Sequence, residues 1–316
     1  MFLKFEKWHG AKNDFVLTWL LGDDELIFDS LVRQAPEICS RDGSGVSADG
    51  ILVLHISERE QIFPDRLSII NSDGSIAETC GNGIRCAALS VLKRHRYYSP
   101  RDIPEGFAMD LRSSSVSCRF LGRGKLETQD HWPLVSVDMG HPKLNQDCQL
   151  YEDAKQEVSR IADELKLPQL KRDWGIIDIS NQHLVFFLDQ ADRDLLLRVG
   201  PAFQKSAFWD GINVHLAVTQ DVDNKLKTEA GNKLGQAIDD LYQVFVWERG
   251  AGETMACGSG ACAVAALALD SGLVERSQWL GVAMPGGLLY CKQESADDQV
   301  NLAGPAQFVF EGTIEI

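Results

Sequence analysis

Two cysteines stand at glycine-rich helix starts. Cys80-Gly81-Asn82-Gly83 and Cys257-Gly258-Ser259-Gly260 each follow a strand-like segment and open a helical one, 177 positions apart (257 minus 80). A thiol beside the unpaired N–H groups and positive dipole end of a helix has its thiolate favoured, unlike a thiol in mid-core. Two helix mouths supply backbone donors suited to a carboxylate. Two thiols on opposite sides of a carbon suit removal of a proton from one face and its return to the other. That is racemisation, and the same donors must stabilise the charge that develops on the carboxylate in a carbanion-like transition state.

The other cysteines read differently. Cys39, Cys118, Cys148 and Cys291 are expected to pack in the core, as most cysteines do. Cys80 and Cys86 are six apart and Cys257 and Cys262 five apart. At about 100° per residue these spacings put the members on different helix faces, and neither is a C-x2-C zinc spacing, so no metal is expected and Cys86 and Cys262 should pack inside their helices. No lysine lies in a recognisable pyridoxal context, so no cofactor is expected. A cysteine-bearing metal-binding or redox-sensing protein is the competing reading from another class.

The bulk numbers bound the rest. At 316 residues with 44% hydrophobic and 24% charged content, the chain suggests a globular protein of two lobes with no membrane span. Thirty-one Lys and Arg against 46 Asp and Glu leave a formal charge of -15, which disfavours nucleic acid and anionic lipid and points to a small-molecule substrate. The start Met1-Phe2-Leu3-Lys4-Phe5 shows no secretory signal pattern, so a cytoplasmic location is expected.

The elements that must position the cysteines follow from patterning. Strands are expected at Phe2 to Phe5 and Phe15 to Trp19 around a loop from Trp8 to Asp14. A short helix at Leu31 to Ala35 should end before Pro36. A polar glycine loop from Arg41 to Gly50 leads into strands at Ile51 to Ile56 and Leu67 to Asn71, then into the first cysteine helix, through about His95. The Tyr97 to Gly106 stretch reads as an exposed excursion with no assigned role. Strands at Ser115 to Phe120 and Leu134 to Met139 flank the crossing between lobes. Glu152 to Leu167 is an amphipathic helix, with Ala154, Val158, Ile161, Ala162 and Leu165 at helical spacing. Strands recur at Ile176 to Ile179, Leu184 to Leu188, Ile212 to Val218 and Tyr242 to Trp247. Ala261 to Leu269, apolar on every side, predicts a buried helix with Gly272 as its stop. Strands at Leu280 to Met284, Leu288 to Cys291 and Gln307 to Ile316 complete the chain, the first two joined at Pro285-Gly286-Gly287.

With these residues placed, the chain resembles the diaminopimelate epimerase family. The likeness runs through His9-Gly10 to Asn13-Asp14-Phe15, Asn71 to Ser75, Cys80 to Cys86, Glu248 to Cys262, Pro285-Gly286-Gly287 and Gly304-Pro305-Ala306 to Phe310-Glu311-Gly312. It implies an α/β (α+β) fold of two pseudo-symmetric lobes, each a mixed sheet or barrel wrapped around a central helix. Residues 1–132 with 305–316 would carry Cys80 and 133–304 would carry Cys257. It implies a homodimer and a cofactor-independent interconversion of LL- and meso-2,6-diaminopimelate in lysine and peptidoglycan precursor synthesis. Cys80 and Cys257 would be the acid/base pair, with Gly81, Asn82, Gly258 and Ser259 holding the reacting carboxylate. Glu248 and His183 would stand near the reacting amino group, and Asn13, Asn71, Asn181, Asn213 and Arg249 would read the far end of the substrate. Oriented amides and a guanidinium suit a second carboxylate and ammonium. Lys12 and Ser47 stand where the family usually has Gly, Gln182 where it has Pro, and the loop after Arg41 is one residue longer. These departures leave a related racemase, acting on another amino acid such as histidine, as the alternative.

Overall fold

The computed structural model describes residues 1–22, 24–98, 104–121, 133–144, 151–209, 211–218 and 224–316. They form two compact units, Met1–Asp138 with Gly304–Ile316, and Met139–Ala303.

The first unit opens with an antiparallel hairpin, β1 (Phe2–Gly10) and β2 (Asn13–Leu21). Helix α1 (Glu25–Ile38) crosses to β3 (Gly50–Ile56), which runs parallel to β2 and is buried along its whole length. β4 (Arg66–Asn71) pairs antiparallel with β3, and the short β5 (Ile76–Ala77) folds back on β4. Helix α2 (Gly81–Tyr98) follows, then the antiparallel run β6 (Gly106–Asp110), β7 (Ser115–Leu121) and β8 (Leu134–Asp138).

The second unit begins with α3 (Tyr151–Leu165) and a 3-10 turn at Pro168–Lys171, then repeats the first unit's plan. β9 (Asp173–Ile179) and β10 (Asn181–Leu188) form the hairpin, and α4 (Arg193–Gln204) crosses to β11 (Asn213–Val218), parallel to β10. Helix α5 (Asn224–Leu234) is an addition without a counterpart. β12 (Leu241–Glu248), β13 (Gly252–Glu253), α6 (Gly258–Asp270), β14 (Leu280–Met284), β15 (Gly287–Lys292) and β16 (Asn301–Gly304) complete the repeat. β17 (Gln307–Glu315) returns to the first unit and pairs antiparallel with β1, Phe2 facing Glu315.

The duplication holds to the residue. Phe15 pairs with Gly50, and Gly50 with Asn71. His183 pairs with Asn213, and the register that joins Val214 to Trp247 sets Asn213 opposite Glu248 one step further on. Phe15 is thus equivalent to His183, Leu52 to His215, and Asn71 to Glu248. Nine residues beyond Asn71 and Glu248 lie Cys80 and Cys257.

Helices α2 and α6 occupy the centres of their units. Gly260 through Leu269 of α6 are all buried, because no face of this helix is polar and it packs against β9, β10, β11 and β15. Its end is closed by a Schellman pair, Leu273 N–H to the Ala268 carbonyl at 2.9 Å and Gly272 N–H to the Leu269 carbonyl at 3.3 Å, with Gly272 at φ 68°. The thiols of Cys86 and Cys262 are fully buried within α2 and α6, and Cys39, Cys118 and Cys291 are buried elsewhere, whereas Cys148 lies outside the described residues. Among the described residues no helix is long and apolar enough to cross a membrane.

Several elements differ from the sequence expectation. The loop from Trp8 to Asp14 is only a two-residue turn, since Gly10 pairs with Asn13 and both Ala11 (φ 51°) and Lys12 (φ 65°) take the left-handed backbone of a type I′ hairpin. Helix α1 runs through Pro36 instead of ending before it. The proline leaves the Val32 carbonyl without its helical donor, and Gly74, whose Cβ would stand 2.7 Å from that oxygen, packs over it. Helix α4 lies in a stretch, between the strands expected at Leu184 to Leu188 and Ile212 to Val218, to which the sequence reading assigns no element. Its buried face, Leu196, Val199, Gly200 and Phe203, has helical spacing, and Gly200 is there because the Trp247 ring would meet its Cβ at 2.4 Å. Of the excursion from Tyr97 to Gly106, the first two residues end α2 and the last opens β6, while 99–103 lie outside the described residues.

Left-handed backbone costs a residue with a Cβ about 1 kcal/mol or more relative to glycine. Lys12→Gly is therefore expected to raise stability by about 1 kcal/mol, measured as a shift of the urea midpoint at constant slope. No shift would mean that the Lys12 side chain repays its own strain.

Candidate active site

In the first unit Cys80 caps α2. Its carbonyl accepts the Ile84 N–H at 2.8 Å, and its Sγ accepts the Gly83 N–H at 3.4 Å. The N–H groups of Gly81 and Asn82 make no intrahelical bond and are left for a ligand. Gly83 lies close beneath the cap: a Cβ there would make an ordinary 3.5 Å contact with Cys80 Sγ and meet the Leu52 Cδ2 tip at 3.0 Å. Asn13, at the start of β2, is drawn in by the Asn82 amide, which donates to Asn13 Oδ1 at 3.2 Å, and Cys80 Sγ lies 3.9 Å from the same oxygen.

Asn13 is oriented from behind. Its Nδ2 donates to Asp49 Oδ2 at 2.6 Å, so Oδ1 must face Asn82 and Cys80. Asp49 also accepts the Asp14 N–H at 2.9 Å and pairs with Arg41 at 2.8 Å. The nearly buried Lys7 pairs with Asp14 at 2.7 Å and donates to the Ser47 carbonyl. Burial alone would raise the Asp14 pKa, but hydrogen bonds and charge from Lys7 and Arg41 outweigh it and hold the carboxyl ionised below its ordinary range. Beneath the mouth, the fully buried Arg85 donates to Asn82 Oδ1 at 2.7 Å and to the Gly81 carbonyl at 3.2 Å, adding positive charge to the dipole end of the helix.

In the second unit Cys257 caps α6 in the same way. Its carbonyl accepts the Ala261 N–H at 3.0 Å and its Sγ the Gly260 N–H at 3.4 Å, with φ -128° and ψ 114° outside the helix. Ser259 Oγ lies 3.5 Å from the thiol, and the Cys257 N–H is turned to Met284 Sδ at 3.3 Å. Gly258 and Ser259 are left with free first-turn N–H groups, as Gly81 and Asn82 are.

The electrostatics of this thiol differ from the helix-mouth expectation. Its pKa lies well above the ordinary cysteine value, first through burial, then through the Glu248 charge and a hydrogen bond that Glu248 accepts from the thiol. Ser259 and the Gly260 N–H oppose this without prevailing. Desolvation at 5% exposure and a neighbouring carboxylate outweigh the helix dipole. Glu248 is itself held by the Thr254 hydroxyl at 2.5 Å.

The amides of this unit meet at the same sheet end. Asn213 Nδ2 donates to Asn181 Oδ1 at 3.1 Å and to the Gln182 carbonyl at 2.9 Å, and Asn213 Oδ1 accepts the Arg249 N–H at 3.0 Å. The Arg249 side chain lies over Gly211, where a Cβ would stand 2.8 Å from Arg249 Cδ. His183 is fully buried beside His215, its Nδ1 2.8 Å from His215 Nε2.

Asn13, Gly81 and Asn82 are thus gathered at Cys80, and Gly258, Ser259 and Glu248 at Cys257. Asn181, Asn213 and Arg249 form their own cluster. Asn71 stands apart: it shares the sheet end through its pairing with Gly50, but its amide is engaged with Ser75 Oγ at 2.8 Å. Sequence reasoning missed Arg85, Asp49, Thr254 and His215. The signal available for Arg85 was its i+4 spacing from Gly81 on a helix otherwise apolar there, and for His215 its place inside a buried strand.

The architecture defines a class of protein. It matches the solved structure of a phenazine biosynthesis protein of the PhzF family from Bacillus anthracis over 100% of both chains, with a TM-score of 0.65 and 12% identity. It also matches a predicted epimerase from Pseudomonas aeruginosa over 99% of both chains, with a TM-score of 0.62 and 15% identity. The family model of diaminopimelate epimerase matches residues 5–144 and 175–309. Diaminopimelate epimerase from Xanthomonas axonopodis pv. citri is 32% identical, with 98% of this chain and 95% of that one covered, and the enzyme from Thermosynechococcus vestitus is 32% identical over 99% and 100%. The chain belongs to the diaminopimelate epimerase family.

Two outcomes follow from the caps. A Cβ at Gly83 meets a flexible leucine tip, whereas one at Gly260 would lie 2.2 Å from His215 Cε1. Gly83→Ala should therefore be close to neutral in urea unfolding, while Gly260→Ala should cost about 1–3 kcal/mol; equal effects would contradict the packing. Glu248→Gln removes the charge that disfavours the Cys257 thiolate. In a Cys80→Ala background, its thiolate absorbance at 240 nm should appear at lower pH than with Glu248 intact, and an unmoved titration would assign the whole shift to burial.

Proposed function

We propose that the chain interconverts LL- and meso-2,6-diaminopimelate, one thiol of the Cys80 and Cys257 pair removing the α-proton while the other delivers one to the opposite face. The observation that carries this reading is the duplicated cap: in a chain of this family, two cysteines at equivalent positions each begin a central helix with the same 3.4 Å N–H to sulfur bond. Each thiol acts as base toward one isomer and as acid toward the other, and the raised pKa of Cys257 favours its protonated form in the free protein.

The first-turn N–H groups of Gly81, Asn82, Gly258 and Ser259 hold the reacting carboxylate and meet the charge that develops on it, with the Arg85 guanidinium reinforcing the Cys80 side. Glu248 and His183 stand toward the reacting ammonium. Asn13, Asn71, Asn181, Asn213 and Arg249 bind the distal carboxylate and ammonium, the asparagines held by the hydrogen bonds described above. The chemistry needs no cofactor and no metal, and the product serves lysine and peptidoglycan precursor synthesis. A cytoplasmic homodimer is the expected form.

In heavy water, product from the first turnover of LL-diaminopimelate should carry deuterium at Cα, because the proton delivered is not the one removed. Retention of the substrate hydrogen would argue for a single base. Cys80→Ala and Cys257→Ala should each lower epimerisation at least about 100-fold while leaving circular dichroism unchanged. Turnover of histidine but not diaminopimelate by the same preparation would transfer the mechanism to another substrate.

A further inference from the structure

Below the Cys257 mouth lie two buried imidazoles that the two-thiol chemistry does not require. His183 on β10 and His215 on β11 are both fully buried, with Nδ1 of the first 2.8 Å from Nε2 of the second and ring centroids 5.0 Å apart. Burial is the main force lowering both pKa values, His215 to about 3, so the pair is neutral and one ring must donate to the other. His215 Nδ1 has no hydrogen-bond partner, while the His183 ring also donates to the Ile179 backbone carbonyl, which opposes the lowering of its pKa without prevailing. The His215 ring also presses on the first turn of α6, since a Cβ on Gly260 would stand 2.2 Å from its Cε1.

The first unit shows that packing does not demand this. At the equivalent positions it has Phe15 and Leu52, which lie against Gly83 with would-be Cβ contacts of 3.5 Å and 3.0 Å, looser than the 2.2 Å of His215 against Gly260. An apolar pair fills the equivalent space without desolvating four ring nitrogens, among them the unsatisfied His215 Nδ1. The histidines are thus a costly choice confined to the unit that carries Glu248.

We propose that His215 is a positioning residue, fixing the ring orientation and tautomer of His183 through the Nδ1 to Nε2 hydrogen bond and bracing Gly260, whose N–H donates to the Cys257 thiol. A ring held in one tautomer keeps one His183 nitrogen bare, and only a bare nitrogen can accept a hydrogen bond from the substrate ammonium. This rests on the reading above that His183 serves the reacting end of diaminopimelate.

The test has one part without a variant. In 15N-labelled wild-type protein, a scalar coupling across the hydrogen bond should connect His183 Nδ1 and His215 Nε2, and the two His183 nitrogens should show well-separated shifts, one protonated and one bare. Absence of the coupling, or averaged shifts, overturns the proposal. His215→Leu, the residue of the equivalent position, should bring the His183 shifts toward each other and lower kcat about tenfold or more without loss of urea stability. His215→Gln, which keeps a donor and an acceptor, should recover part of kcat. Unchanged shifts and unchanged kcat and KM in the Leu variant would make His215 a packing residue only. Should wild-type protein fail to turn over diaminopimelate, the functional reading falls, yet the coupling and shifts still decide whether the pair is set as described.

Discussion

The bond on which the structure turns is the one from the third helical N–H to a capping sulfur. Helix α6, threaded through the middle of its unit, is apolar on every side, while α2 keeps the buried polar side chains of Arg85 and Ser90, and in both the first turn is where backbone N–H groups lack an intrahelical acceptor. Something must cap that turn while occupying little space under the adjoining strands. A cysteine does both, and it leaves a titratable atom where the helix dipole and free N–H groups point. The glycine at Gly260 follows from the same constraint, since the turn lies hard against the His215 ring, whereas Gly83 meets only the tip of Leu52 and an ordinary contact with Phe15.

Duplication then supplies two such mouths and divergence makes them unlike. The Cys80 mouth rests on apolar Phe15 and Leu52, with the Arg85 cation below and an asparagine at Asn71 on the neighbouring strand end. The Cys257 mouth rests on imidazoles and has the Glu248 carboxylate at the place of Asn71. One mouth is therefore biased toward positive potential and the other toward negative.

Legibility in the sequence followed the same division. Residues whose identity is forced by local backbone chemistry were readable: the glycine caps, the all-apolar α6, the Gly272 stop and the hairpin at Pro285-Gly286. Residues placed by long-range contact were not. Nothing adjacent to Gly200 announces that Trp247 covers it, and α4 goes unassigned in the sequence. Nothing near Pro36 announces that Gly74 covers the carbonyl it frees, so α1 seemed to end early. The raised pKa of Cys257 belongs to the same group: the dipole that favours a thiolate is local and visible in the motif, while the burial that overrides it depends on the surrounding fold.

The departures from the family pattern concern backbone more than chemistry. Lys12 and Ser47, both where glycine is usual, sit at φ 65° and 59°, in the conformation that glycine takes freely. The positions thus keep their backbone geometry although the residue that suits it has gone. At Ser47 a compensation is visible, because the buried Lys7 ammonium donates to its carbonyl and ties the loop to Asp14. At Gln182 the loss of a proline leaves a backbone carbonyl that still accepts from Asn213. Each change bears on how a loop is held, and Asn13 and Asn213 keep the hydrogen bonds that orient them.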